Sequence, residues 1–266
     1  MKEFLVRTIS AAVMIVLVFG AVHYLPAAVF FGFIFVLATL ASFELNKLLS
    51  GSIWQLALTT IGGVMLGFSL WLGTPQLQQV LFLYLLVSGM FMVLWVRKAE
   101  RLPAFPSVFG QHFLVLLYVF FPLFHLFLLR ELGHGLLFFL FYSVAIGDSG
   151  AYFVGKAIGR HKIYPIASPK KSLEGFIAAV ICSAIFAVPG YYLFSLTGYS
   201  LFFIIASGAL LAFLSQLADP LESLFKRYAG VKDSGCLIPG HGGILDRIDS
   251  YLFCAPAFYY LLLWIS

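Results

Sequence analysis

Charge is what this sequence has least of. Only 10% of its 266 residues are Asp, Glu, Lys or Arg, whereas 62% are hydrophobic and the mean hydropathy is +1.03. At that composition a water-soluble domain lacks the polar side chains to cover its own surface. A large soluble all-α core is therefore rejected. The chain reads instead as an all-α polytopic membrane protein, a single integral membrane domain over residues 1–266. Cysteine is scarce as well, with only Cys182, Cys236 and Cys254. An odd number without metal-site spacing argues against a disulfide framework, and Cys236 reads as incidental packing. Familiar motifs are missing too. No GxxxxGK[ST] run occurs, so a bound nucleotide is not held by a P-loop, and the lack of HExxH or clustered Cys argues against zinc. Internal repeats and low-complexity tracts are absent.

What is present is a series of long apolar runs. A span takes about 20 mostly apolar residues, and nine runs qualify: 7–24, 27–46, 53–73, 77–96, 110–129, 136–156, 174–194, 199–217 and 250–265. Gly73-Thr74-Pro75, Gly133-His134-Gly135 and Thr197-Gly198 read as turns between them. The first run is not read as a cleaved signal peptide, because a second follows directly after Leu25-Pro26.

With the N-terminus placed in the cytoplasm, fifteen of the 16 Lys and Arg fall on the inner side and Arg130 alone falls outside. That is a strong positive-inside bias. It also explains a sequence pI near 9.1 without a nucleic-acid partner, since basic inner loops meet anionic lipid. Basic loops of this kind fit a bacterial inner membrane. Segments 157–173 and 218–249 then face the same compartment and can build one cytoplasm-facing polar site, with 1–135 mostly scaffold and 136–266 the catalytic part.

The scarce charge is concentrated there. Asp219, Glu222, Ser223 and Lys226 stand at i, i+3, i+4 and i+7, one face of a helix. Asp219 before Pro220, with Glu222 three residues on, equally reads as an N-cap with a capping box. Capping does not explain why Lys226 and Arg227 follow at the end of an apolar run, where charges are costly and usually paired or functional. The stretch KDSGCLIPGHGGILDRIDS adds Lys232, His241, Gly242, Gly243, Asp246, Arg247 and Asp249. Glycine amides and a helix N-terminus accommodate anions. Carboxylates beside phosphate-binding cations suit Mg²⁺, which takes oxygen ligands and shares them with substrate phosphates. Asp148 lies inside the sixth span and reads either as a ligand or as a buried Asp bonded to backbone. Lys170 and Lys171, with Arg160 and Lys162, read as phosphate ligands or as a solvated inner loop. His23, His112 and His125 read as packing histidines, and Glu44 as an ion pair with Lys47.

The run from Ser223 to Asp249, SLFKR followed after four residues by KDSGCLIPGHGGILDRID, resembles the signature of the phosphatidate cytidylyltransferases. GDSGAYFVGK and SPKKSLEGF are similar to two further stretches of that family. One departure is Ala218, where the pattern leads one to expect glycine. The resemblance implies a reaction in which phosphatidate and CTP give CDP-diacylglycerol and pyrophosphate with Mg²⁺. It implies a second cation such as K⁺, and a homodimer. It further implies metal binding by Asp219 and Asp246, with Asp249, Asp148 and Glu222 as additional ligands. Lys226 and Arg247 would act on the reacting phosphates, and Lys170, Lys171, Ser223, Arg227, Lys232, His241, Gly242 and Gly243 would bind substrate. Two alternatives stay open at this point. One is a related membrane lipid kinase, such as a polyprenol kinase. The other is a secondary transporter, against which the clustering of charge in one half of the chain argues.

Overall fold

A run of some twenty apolar residues has no hydrogen-bond partner in lipid except its own backbone, and here each such run is a helix. The computed structural model describes residues 2–72, 77–238 and 242–265, and within the first helix the side chains of residue 10 and of residues 12 onward. Helices α1 (Lys2–Tyr24), α2 (Ala27–Leu48), α3 (Ile53–Trp71) and α4 (Leu77–Trp95) come first. A 3-10 turn, Ala99–Ala104, leads into α5 (Phe105–Val115), which continues through a π-helical turn, Leu116–Phe120, into α6 (Phe121–Leu132). Then follow α7 (His134–Ile158), α8 (Leu173–Leu193), α9 (Leu201–Tyr228) and α10 (Leu245–Ile265). Among the described residues eight segments, counting Ala99–Leu132 as one, are long and apolar enough to cross a bilayer, and Ala12–Tyr24 of α1 is a shorter ninth. The nine runs read from the sequence each fall on one of these. The turn expected at Gly73-Thr74-Pro75 lies outside the described residues.

Local chemistry sets several of the ends. Ser52 and Gln55 form a reciprocal capping box at the start of α3. Ser172 and Ser200 accept the Gly175 and Phe203 N–H groups, each at 3.2 Å, and start α8 and α9. Pro122 has no N–H to return to the Tyr118 carbonyl, and the π turn immediately before it changes the bonding register, with the Phe121 N–H donating to Leu116.

Two boundaries differ from the sequence reading. The eighth span does not stop near residue 217: α9 continues through Pro220 to Tyr228, so Asp219 is a helix-interior residue and the N-cap reading is wrong. Pro220 withholds one N–H from the Gln216 carbonyl. Beyond it Glu222, Ser223 and Lys226 are buried, and packing carries the helix on where local signals point to a stop. The last helix begins at Leu245 rather than 250, which puts Asp246 and Asp249 in its opening turns.

Helices α7, α8 and α9 pack closely together, α10 lies against α9 and α6, and α2 lies against α6. The α7–α8 contact is tight enough that a Cβ on Gly150 would stand 2.8 Å from Cys182 Sγ, the close approach small residues permit in membranes. Phe68, Phe82, Val93 and Trp264 are exposed outward, where lipid is their solvent. Buried His112 and His125 each satisfy Nδ1 on the carbonyl four residues back, at 2.9 and 2.7 Å, as packing histidines do. The cysteines are unpaired; Cys236 is exposed, so it does not serve as packing. Arg130 is buried at the end of the bundle where α1 meets α2. Its Nε–H donates to the Val22 carbonyl at 2.8 Å and its guanidinium lies over Phe30.

Candidate active site

At the other end of the bundle the last turns of α2, α7 and α9 meet the first turns of α8 and α10. A cavity of about 380 Å³ opens there, lined by Asp148, Asp219, Ser223, Lys226, Arg227, Lys232, Asp233, Asp246, Arg247, Asp249 and Ser250. Nine of these are residues the sequence had singled out; Asp233 and Ser250 are not. Segment 218–249 supplies most of this lining and Asp148 of α7 joins it; segment 157–173 contributes no lining residue and reaches the cavity only through the pairing of Lys171 with Asp219.

The helical spacing on α9 does what its period requires. Asp219 and Ser223 face the cavity, and the Ser223 hydroxyl donates to Asp219 Oδ1 at 3.4 Å. Glu222, the residue before Ser223 and expected as a metal ligand, does not line the cavity: it is fully buried and held by Lys226 at i+4. The same ammonium donates to Asp246 Oδ1 at 2.7 Å. Lys226 therefore joins α9 to α10 through Asp246 while it also pairs with Glu222 on its own helix. Asp219 Oδ2 is paired with Lys171 Nζ at 2.8 Å, which ties the loop before α8 to α9. Asp148 accepts hydrogen bonds from Gln216 Nε2 at 2.8 Å and Ser215 Oγ at 3.1 Å, both on α9. The reading of Asp148 as an Asp bonded to backbone is thus not what is seen: its partners are side chains, and its carboxylate lines the cavity. Asp249 accepts from the Ser250 N–H at 2.8 Å.

Asp246 is the most heavily bonded of the group. Its Oδ2 accepts the Ser234 N–H at 2.9 Å, the Gly243 N–H at 2.8 Å and the Ser234 hydroxyl at 3.0 Å, while Oδ1 takes Lys226. Gly242 stands at φ +86°, the left-handed region that favours glycine, and its carbonyl accepts the Ile238 N–H at 2.9 Å. The loop thereby folds back and aims the Gly243 amide at Asp246. That amide is engaged by a carboxylate of the chain itself. His241 lies outside the described residues.

Three further residues complete the placement. Lys170 is exposed and forms no part of the cavity wall; its carbonyl accepts Lys162 Nζ at 3.3 Å. Arg227 lines the cavity and donates to the Val231 carbonyl at 3.3 Å. Glu44 does not pair with Lys47, which is exposed. It is buried, accepting the Ser234 hydroxyl at 2.9 Å and the Ile244 and Leu245 N–H groups at 3.1 and 2.8 Å. Local spacing suggested the wrong partner. The available signal was the cost of a carboxylate in an apolar run, which calls for a partner of some kind.

Among the described residues no three His, Cys, Asp or Glu side chains converge closely enough to form a ready-made metal site. The cavity carboxylates ring the chamber instead. An all-oxygen donor set with an incomplete shell suits Mg²⁺, which keeps part of its coordination for phosphate oxygens and water. Arg227, Lys232 and Arg247 line the same cavity as these carboxylates.

Fold and site together define a membrane-embedded helical protein with a polar cavity lined by carboxylates and cationic side chains. The sequence profile of the cytidylyltransferase family matches residues 5–265, and the chain belongs to that family. A phosphatidate cytidylyltransferase of Staphylococcus saprophyticus is 42% identical over 136 residues, 51% of this chain and 52% of that protein. Proteins of the same name from Staphylococcus haemolyticus and Staphylococcus aureus are 43% and 41% identical over 135 and 134 residues, in each case 50% of this chain and 51% of the relative. These matches span about half the length of each relative.

Proposed function

We propose that this protein transfers the cytidylyl group of CTP to phosphatidate, giving CDP-diacylglycerol and pyrophosphate. The observation that carries this reading is the convergence of Asp148, Asp219, Asp246 and Asp249 with Lys226, Arg227, Lys232 and Arg247 on one chamber at the end of the bundle. Family membership and the names of the relatives point the same way.

In the reaction a phosphatidate phosphate oxygen attacks the α-phosphorus of CTP, a new P–O–P bond forms, and the bond to the β-phosphate oxygen breaks as pyrophosphate leaves. The attacking phosphate is already ionised, so no general base is required. The obstacle is bringing two anions together and stabilising charge on the leaving group, which is a task of positioning and electrostatics. Arg227, Lys232 and Arg247 supply positive charge for the phosphates. Lys171 and Lys226 fix Asp219 and Asp246 in place. Asp219 and Asp246, with Asp249 and Asp148 nearby, would hold Mg²⁺, which when bound neutralises triphosphate oxygens. The acyl chains stay in lipid while the headgroup reaches the helix ends. The basic bias of this end supports a chamber that faces the cytoplasm, as in a bacterial inner membrane.

The test uses purified protein in lipid nanodiscs, CTP labelled at the α- or γ-phosphate, and candidate lipids. Label from the α-position entering lipid only with phosphatidate and Mg²⁺ is the expected result. Transfer of the γ-label to a lipid alcohol refutes the proposal in favour of a kinase.

A further inference from the structure

We propose that Glu44, on α2 in the half of the chain that reads as scaffold, is a positioning residue for Asp246. The inference rests on the reading that Asp246 serves phosphoryl chemistry in the chamber. Glu44 is 3% exposed, and among the described residues no cation pairs with it. A buried carboxylate is costly unless its oxygens are bonded, and those of Glu44 are. Oε1 accepts the Ile244 N–H, and Oε2 accepts the Leu245 N–H and the Ser234 hydroxyl. These bonds close sequence separations of 190 to 201 residues.

Two of the donors are the free amides at the start of α10, where a helix leaves N–H groups without internal partners and favours negative charge. Glu44 therefore pins the first turn of the helix that carries Asp246 and Asp249. The third donor makes the coupling direct. Ser234 Oγ lies 2.9 Å from Glu44 Oε2 and 3.0 Å from Asp246 Oδ2, so one hydroxyl proton is placed between two carboxylates. Displacing Glu44 frees that hydroxyl and releases the turn that aims the Ser234 and Gly243 amides at Asp246. The loop is built around this arrangement. A Cβ on Gly243 would meet Ser234 Oγ at 2.1 Å and Glu44 Oε2 at 2.4 Å, and one on Gly235 would meet Glu44 Oε1 at 2.5 Å. Glycines in the stretch thus make room for Glu44.

The experiment compares wild-type protein, Glu44→Gln and Ser234→Ala, full-length in nanodiscs. It measures kcat and KM for CTP, thermal stability, and hydrogen exchange in peptides covering 242–248 and covering α7 and α8. Gln keeps the size of Glu but offers one oxygen to three donors. Expected is a kcat lowered about 10–100-fold, the usual effect of removing a partner that orients a ligand group. Exchange should rise in 242–248 and stay unchanged in α7 and α8. Ser234→Ala should lower kcat in the same direction with thermal stability intact, and the double variant should fall no lower than Glu44→Gln alone. Wild-type kcat in Glu44→Gln, or faster exchange throughout α7 and α8 alongside the loss, overturns the proposal in favour of a purely structural Glu44. Should Glu44→Gln not fold, Ser234→Ala decides, and wild-type turnover in it overturns the proposal. A wild-type protein that labels no lipid refutes the functional reading instead, and the exchange data then still judge whether Glu44 fixes the start of α10.

Discussion

Lys226 is bonded to two carboxylates at once, Glu222 on its own helix and Asp246 on α10, and is nearly buried. Removing one partner of a buried ion pair is worse than never having had the pair, because the remaining charge stays in a poor solvent. Lys226→Met is therefore expected to destabilise the folded protein by about 3–5 kcal/mol, read as a lower thermal midpoint in detergent. Glu222→Gln added to it should restore part of the loss, since it removes the stranded buried charge. Asp246→Asn is a different experiment on the same network. The side chain keeps its shape and one acceptor oxygen, so the protein should still fold and insert, while turnover of labelled CTP falls to background. Turnover at the wild-type rate in Asp246→Asn would remove that residue from the reaction. At this scale the sequence was legible wherever partners were near each other along the chain: the i, i+3, i+4, i+7 pattern on α9 placed Asp219, Ser223 and Lys226 on one functional face. It misled where the partner was remote. Glu44 has Lys47 three residues away, and nothing local shows that Ser234 and Leu245 are its true contacts.

Helices were legible for a reason that belongs to the solvent. Lipid forces every apolar run to satisfy its backbone internally, so length and hydropathy suffice to find the spans. Their ends are governed by other physics. Ser172 and Ser200 are local caps and were accessible to reading; the extension of α9 past Pro220 and the early start of α10 depend on packing against other helices and were not. Helix–helix contact is also where a single methyl group matters. Gly150 on α7 faces Cys182 on α8, and a Cβ would lie 2.8 Å from its Sγ and 2.9 Å from its Cβ. Gly150→Ala should cost about 1–3 kcal/mol, the usual range for overpacking. Cys182→Gly in the same protein removes the two nearest opposing atoms, leaving the Ala178 carbonyl oxygen at 3.2 Å, and should recover part of the lost thermal midpoint after the roughly 1 kcal/mol cost of a glycine within α8. Additive loss in the double variant would show that the two helices do not meet as described.

The whole molecule is polarised. One end of the bundle carries the chamber and its cations; at the other, Arg130 is buried and capping carbonyls of the α1–α2 turn. The positive-inside bias supports the proposal that the first end faces the cytoplasm, where a soluble nucleoside triphosphate can reach it. The three cysteines make this directly measurable, because they differ in access. Cys236 is exposed in the loop before α10, Cys254 is buried with its thiol donating to the Leu211 carbonyl at 3.2 Å, and Cys182 is partly covered within the α7–α8 contact. A membrane-impermeant maleimide should therefore label wild-type protein in inverted inner-membrane vesicles and leave it unlabelled in right-side-out vesicles until they are permeabilised. Cys236→Ser should abolish that signal, identifying the reacting thiol. Prompt labelling of Cys236 in intact right-side-out vesicles would put the chamber on the outer face, against the charge bias of fifteen of the 16 Lys and Arg. The nucleotide substrate would then have to be supplied from outside the cell, which the proposed reaction does not allow.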